Sequence, residues 1–182
     1  AVCCLSSLNL EYFDEWSKDK GFLKDVLEML DNTLSKFITD APDSISRAKY
    51  SAMRERSIGV GALGFHAYLQ KKGMVFESAV AKSSNMRMFR HIRSGLDSAN
   101  LELGRERGEA PDAQGTGLRC SHVMAIAPNA SSSIIMGNTS PSIEPWRANA
   151  YRQDTLSGSF LNKNKFLDKL IKDKCEKNTN LN

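Results

Sequence analysis

The stretch His122-Val-Met-Ala-Ile-Ala-Pro-Asn-Ala-Ser-Ser-Ser-Ile-Ile135 changes character twice in a short span. His122–Ala127 is a compact apolar run and reads as a buried strand. Pro128–Ser133 is a polar turn, and Ile134–Met136 reads as the first turn of a helix. Strand, tight turn and helix in that order place the first helical N–H groups where no partner within the helix can reach them, with the positive end of the helix dipole alongside. Three consecutive serines add hydroxyls, Asn129 adds an amide, and no acidic side chain interrupts the turn. This chemistry suits a phosphate group. The same residues also make an ordinary helix cap, and the pattern alone does not choose between the two. The turn lacks the lysine of a Walker A loop.

Working outward, Ala1–Leu10 reads as the end of a buried strand running into a turn. Gly21–Thr39 carries Phe22, Val26, Leu27, Leu30, Leu34, Phe37 and Ile38 at helical spacing. A short helix is expected over Asp43–Tyr50. A small-residue helix is expected from Ser57 to Lys72, stopped by Gly73. A long helix should be capped by Ser78 and closed by Gly108. Ala148–Leu161 reads as extended and Asn164–Lys174 as an amphipathic basic helix. Gly59-Val-Gly-Ala-Leu-Gly64 spells GxGxxG, but Arg54–Ser57 before it is no buried strand, so a dinucleotide fingerprint is not expected.

The totals fit these elements. At 182 residues with 41% hydrophobic and 25% charged, the chain can bury a core, and no apolar run approaches the roughly 20 residues of a membrane span. A net charge of +4, spread along the chain, tolerates an anionic ligand but is no nucleic-acid footprint. Cys3, Cys4, Cys120 and Cys175 are not spaced as a zinc site or a secreted disulfide scaffold, which points to a reducing cytoplasm. His66, His91 and His122 form no ligand pair, so no metal is expected in this chain. Arg87, Arg90 and Arg93 read as a solvated face, and Trp146 and Tyr151 as packing. The ends, Ala-Val-Cys-Cys-Leu and Asn-Thr-Asn-Leu-Asn, read as cuts through a longer protein.

AVCCLSSLNL (1–10), RERSIGVGALGFHAYLQKKG (54–73), RERGEAPD (105–112), AIAPNASSSII (125–135), SPSIEPWRANAY (140–151) and TLSGSF (155–160) follow one another. Together they resemble the catalytic large subunit of class I ribonucleotide reductase, in a form near compact bacterial or phage versions. The resemblance implies an α/β fold: residues 1–182 as a single partial domain, a helix-rich C-terminal portion of a ten-stranded α/β barrel. It implies reduction of ribonucleoside diphosphates to 2′-deoxyribonucleoside diphosphates for DNA synthesis by thiyl-radical chemistry. Cys3 matches one of two redox cysteines that close to a disulfide. Asn129, Ala130, Ser131, Ser132 and Ser133 match the segment that binds the substrate diphosphate. Some relatives carry an acidic residue where this chain has Ala130, so no side-chain role transfers there.

The resemblance places the radical-forming cysteine and the second redox cysteine before Ala1, and the radical-relay tyrosines after Asn182. It implies no cofactor bound by this chain, a radical metal cofactor in a partner small subunit, thioredoxin or glutaredoxin as reductant, ATP and effector sites elsewhere, and a homodimer when complete. The expected location is the cytoplasm, that of the host if the protein is phage-encoded, with no nucleic-acid or membrane partner. The isolated piece is expected to be inactive. Rival readings are a cobalamin-dependent class II reductase, a non-catalytic nucleotide-binding fragment and an ordinary Rossmann domain.

Overall fold

The computed structural model describes residues 2–155 and 158–177. Strand β1 (Cys3–Asn9) pairs in parallel with β2 (Ser57–Leu63), in register from Cys3↔Ser57 to Asn9↔Leu63. Parallel neighbours need a crossover. Here it runs through a 3-10 turn (Leu10–Tyr12), α1 (Phe13–Trp16), α2 (Phe22–Asp40) and α3 (Ser46–Glu55). After β2 come α4 (Phe65–Lys71), the long α5 (Ala79–Arg107), α6 (Ala130–Ile135), β3 (Ala150–Thr155), β4 (Gly158–Lys163) and α7 (Lys165–Lys177). Leu27 and Leu30 of α2 meet Met88, Ile92 and Leu96 of α5, and these pack with Leu8, Ile58 and Val60 from one face of the strand pair.

Helices α2, α5 and α7 follow the expected lines. Ser78 caps α5 by accepting from the Ala81 N–H at 3.1 Å, and Gly108 closes it at φ +84°. Asn164 caps α7 by accepting from Phe166 N and Leu167 N at 3.1 and 3.3 Å. The extended stretch is the antiparallel pair β3 and β4; Leu156 and Ser157 lie outside the described residues, as do Ala1 and Asn178–Asn182.

Four expectations need correction. The helix anticipated over Ser57–Lys72 is instead strand β2 followed by α4, with Gly64 (φ +81°) at the junction. Every residue of β2 is buried. A parallel strand covered on both faces shows no alternation, and so cannot be separated from a small-residue helix by period. Its glycines permit close approach. A Cβ on Gly61 would collide with the Ala125 carbonyl, and one on Gly59 would lie 2.7 Å from Ala125 Cβ and collide with Leu5. The GxGxxG glycines therefore lie inside a strand, not in a turn after one.

His122–Ala127 is not a regular strand. It holds one parallel bridge, Val60↔Met124. Ile58 N donates to His122 O and Val60 N to Val123 O, both at 2.9 Å, so two steps along β2 match one step along its neighbour. This bulge-like slip breaks the ladder. Val123 is buried, but His122 and Ile126 are exposed. β1 also differs from a buried strand: Leu8 is covered while Cys3 and Leu5 are exposed. Finally, α6 starts at Ala130, so the serines form its first turns; Asn129, left-handed at φ 56°, lets the chain turn in.

Candidate functional site

Side chains two apart on a strand share a face. Cys3, Leu5 and Ser7 of β1 thus project to one side with Ser57, Gly59 and Gly61 of β2, away from the helical core. Ser7 anchors the α6 turn there: Asn129 Nδ2 donates to Ser7 Oγ at 3.0 Å, and Ser7 Oγ lies 3.1 Å from Asn129 Oδ1. With its amide held by Ser7, Asn129 does not cap α6. The N–H groups of Ala130, Ser131 and Ser132 cannot be used within the helix, and all three residues are exposed. Ser133 differs. It is buried, its N–H donates to Asn129 O at 2.9 Å and its hydroxyl to Ala130 O at 2.9 Å. It braces the turn from behind.

Cys3 stands at the other end of the same face. Its Sγ lies over β2, 3.2 Å from where a Gly59 Cβ would sit. Burial pushes its thiol up from the ordinary value and Cys4 adds to the rise. All four cysteines are free, and Cys120 is enclosed, its thiol pushed up to about 12 by burial and by Asp31.

A cleft of about 750 Å³ opens beside α6, lined by Pro128, Ala130, Glu144, Trp146, Arg147 and Tyr151 among others. Trp146 packs edge-on against His66 at 5.4 Å and its backbone N–H donates to His66 Nδ1 at 3.2 Å; burial lowers the His66 pKa. Arg87 is engaged within the fold, donating to Tyr68 Oη at 2.9 Å. Among the described residues, no three His, Cys, Asp or Glu side chains come together as a metal seat, and no helix is long and apolar enough to cross a membrane.

The structure shows polar centres that sequence reasoning passed over. Ser7 follows from strand parity once β1 is accepted. Asp31, wholly buried on α2, receives Arg56 Nε at 2.9 Å, Arg107 Nη1 at 3.0 Å and Arg119 Nε at 3.1 Å. Burial alone would raise its carboxyl, but Arg56, Arg119 and Arg107 outweigh that and hold it below the usual range. An aspartate among leucines at helical spacing was the only sequence signal.

Comparison with known proteins relates this chain to one family. The family model described as "Ribonucleotide reductase, barrel domain" matches residues 1–116 and 111–182. A ribonucleoside-diphosphate reductase large subunit of Invertebrate iridescent virus 6 is 62% identical over 94% of this chain and 18% of its own length. That of Invertebrate iridescent virus 3 is 57% identical over 98% of this chain and 28% of its own. The solved class Id ribonucleotide reductase alpha subunit of Actinobacillus ureae superposes with a TM-score of 0.86 at 38% identity, over 96% of this chain and 32% of that one. The chain thus spans under a third of the length of these relatives. It belongs to the ribonucleotide reductase barrel-domain family, and its helix-rich α/β structure is a portion of that barrel.

Proposed function

We propose that this chain is a single partial domain of the large subunit of a class I ribonucleoside-diphosphate reductase. The complete enzyme replaces the ribose 2′-hydroxyl of ribonucleoside diphosphates with hydrogen. In this reading the Asn129–Ser133 turn holds the substrate diphosphate, chiefly through the N–H groups of Ala130, Ser131 and Ser132 and the two exposed serine hydroxyls. Ser133 keeps the turn in shape. Cys3 is one of the two cysteines whose oxidation to a disulfide supplies the electrons.

The observation that carries this is the joining of both features on one sheet face: Cys3 and Ser7 lie on β1, and Ser7 holds Asn129 at the head of α6. A substrate fixed by its phosphates at α6 then lies along the face that carries the thiol. The relatives' names and the class Id title of the structural neighbour support a class I enzyme over a cobalamin-dependent one. The radical cofactor then belongs to a partner small subunit, thioredoxin or glutaredoxin restores the dithiol, the complete large subunit is a homodimer, and the enzyme works in the cytoplasm, that of the host if virally encoded.

Cys3→Ser in the complete subunit, assayed with its radical-generating partner and a dithiol, tests the redox role. Repeated turnover should stop while thermal unfolding stays unchanged, since the side chain is exposed. Sustained turnover would remove Cys3 from the chemistry.

A further inference from the structure

The head of α6 is open, but its tail is held by three side chains. Asn9 Nδ2 donates to Met136 O at 3.5 Å and Lys165 Nζ to Gly137 O at 3.1 Å. Asn138 Nδ2 donates to Lys163 O at 3.4 Å. Met136 and Gly137 follow directly on α6. Carbonyls at a helix end lack partners within the helix and lie at the negative end of its dipole, so a cation is well placed there. The same ammonium of Lys165 also donates to both carboxylate oxygens of Glu11, at 2.8 and 2.9 Å. Glu11 is buried and Lys165 half-buried.

The place of Lys165 in its own helix runs against the dipole. It is the first residue of α7, next to the cap Asn164, where a cation faces the positive end. Its partners on α6 and at Glu11 account for it; α7 does not. Glu11 sits in the 3-10 turn just past β1, where Lys71 Nζ donates to its backbone carbonyl at 3.3 Å. The end of β1 and the turn after it thus fix α6 at both ends. Ser7 takes Asn129 at the head, while Asn9, and Glu11 through Lys165, take the tail. Ser7 and Asn9 share their strand face with Cys3. The neighbour of Lys165, Phe166, packs on Trp146 of the cleft, with ring centroids 6.2 Å apart.

We propose that Lys165 is a positioning residue for the substrate. By clamping Gly137 to Glu11 it holds α6 on β1, so that the N–H groups of Ala130, Ser131 and Ser132 stay aimed at the diphosphate. Lys165 acts through α6 and does not itself touch the substrate. The inference rests on the reading of the α6 turn as the diphosphate seat. α6 has six residues. Tied at Asn129 alone, so short a helix pivots about that tie, and turning its N–H groups off line weakens each bond to an anion. The clamp at the far end removes that freedom and leaves the head open for the ligand.

The test uses the complete large subunit, assayed with its partner subunit and a dithiol. Lys165→Met alone strands the buried Glu11 carboxylate and should lower the unfolding midpoint. Combining it with Glu11→Met removes that charge, and an apolar pair of similar volume in place of a buried ion pair is often neutral or stabilising. The double variant should therefore unfold at or above the wild-type midpoint. Its KM for a ribonucleoside diphosphate should nevertheless rise by about tenfold, the order of one charge-assisted hydrogen bond. Its kcat should hold, the pattern for lost binding that ground and transition states share. A clamp that served stability alone would return KM to the wild-type value once the midpoint is restored, and that result overturns the proposal. So does a fall in kcat at unchanged KM. If Ser131→Glu leaves affinity for the ribonucleoside diphosphate unchanged, the diphosphate reading beneath the proposal is what fails. If Ser131→Glu weakens binding and the double variant does not, the role of Lys165 alone fails.

Discussion

The Asp31 carboxylate and the backbone donors of Ala130–Ser132 are both polar groups on helices, and the fold treats them oppositely. Asp31 is shut inside and met by three guanidiniums. The α6 donors are open to solvent, and the residue that would normally cap them has its side chain tied to Ser7. One polar group is saturated and holds α2 to the start of β2, to α5 and to the segment before His122. The other is left unsaturated on the face that carries Cys3. Closed pairing serves assembly of the fold, whereas open donors are available to a ligand. The two regions should therefore fail differently when changed.

The largest effect is expected at Asp31. Asp31→Ala strands three arginines around a buried site, and removing one partner of such a group costs about 3–5 kcal/mol. Urea unfolding should show that loss. Asp31→Asn should differ from the wild type in the acid limb as well. Because the folded-state carboxyl is held below its ordinary value, its contribution is present above that value and disappears as pH falls through the lowered one. The wild type should lose stability over that acidic window, and Asp31→Asn should lack that component. A flat acid limb in the wild type would mean the cluster does not stabilise the fold.

A smaller effect, informative by its sign, is expected at Gly61. In a strand against the Ala125 carbonyl, Gly61→Ala overpacks and should cost about 1–3 kcal/mol. In the helix read from sequence, the same change would gain about 1 kcal/mol. The direction of the shift in unfolding midpoint decides between them.

This contrast also shows what the sequence could convey. α2, α5 and α7 were legible because amphipathic spacing, Ser78, Gly108 and the residues flanking Asn164 mark them locally. β2 was not: burial on both faces erases alternation, and glycine at positions 59 and 61 answers to Leu5 and Ala125, which are distant in sequence. The same limit hid the partners of Asp31, which lie 25, 76 and 88 positions away. At the site, the polar turn was visible as chemistry and the family resemblance marked Cys3. That Ser133 faces inward while Ser131 and Ser132 face out depends on where α6 begins, and the left-handed Asn129, tied to Ser7, sets that.

The central claim is that the open donors of α6 hold the substrate diphosphate. Its most direct test is calorimetric titration of a ribonucleoside diphosphate into the complete large subunit, wild type against Ser131→Glu. A carboxylate set about 4 Å from phosphate opposes it by about 1 kcal/mol in bulk water and about 4 kcal/mol at the effective dielectric of a protein surface. Affinity should fall by about a hundredfold, between those limits, while the unfolding midpoint stays where it was because Ser131 is exposed. Unchanged affinity in a folded Ser131→Glu subunit would contradict the account.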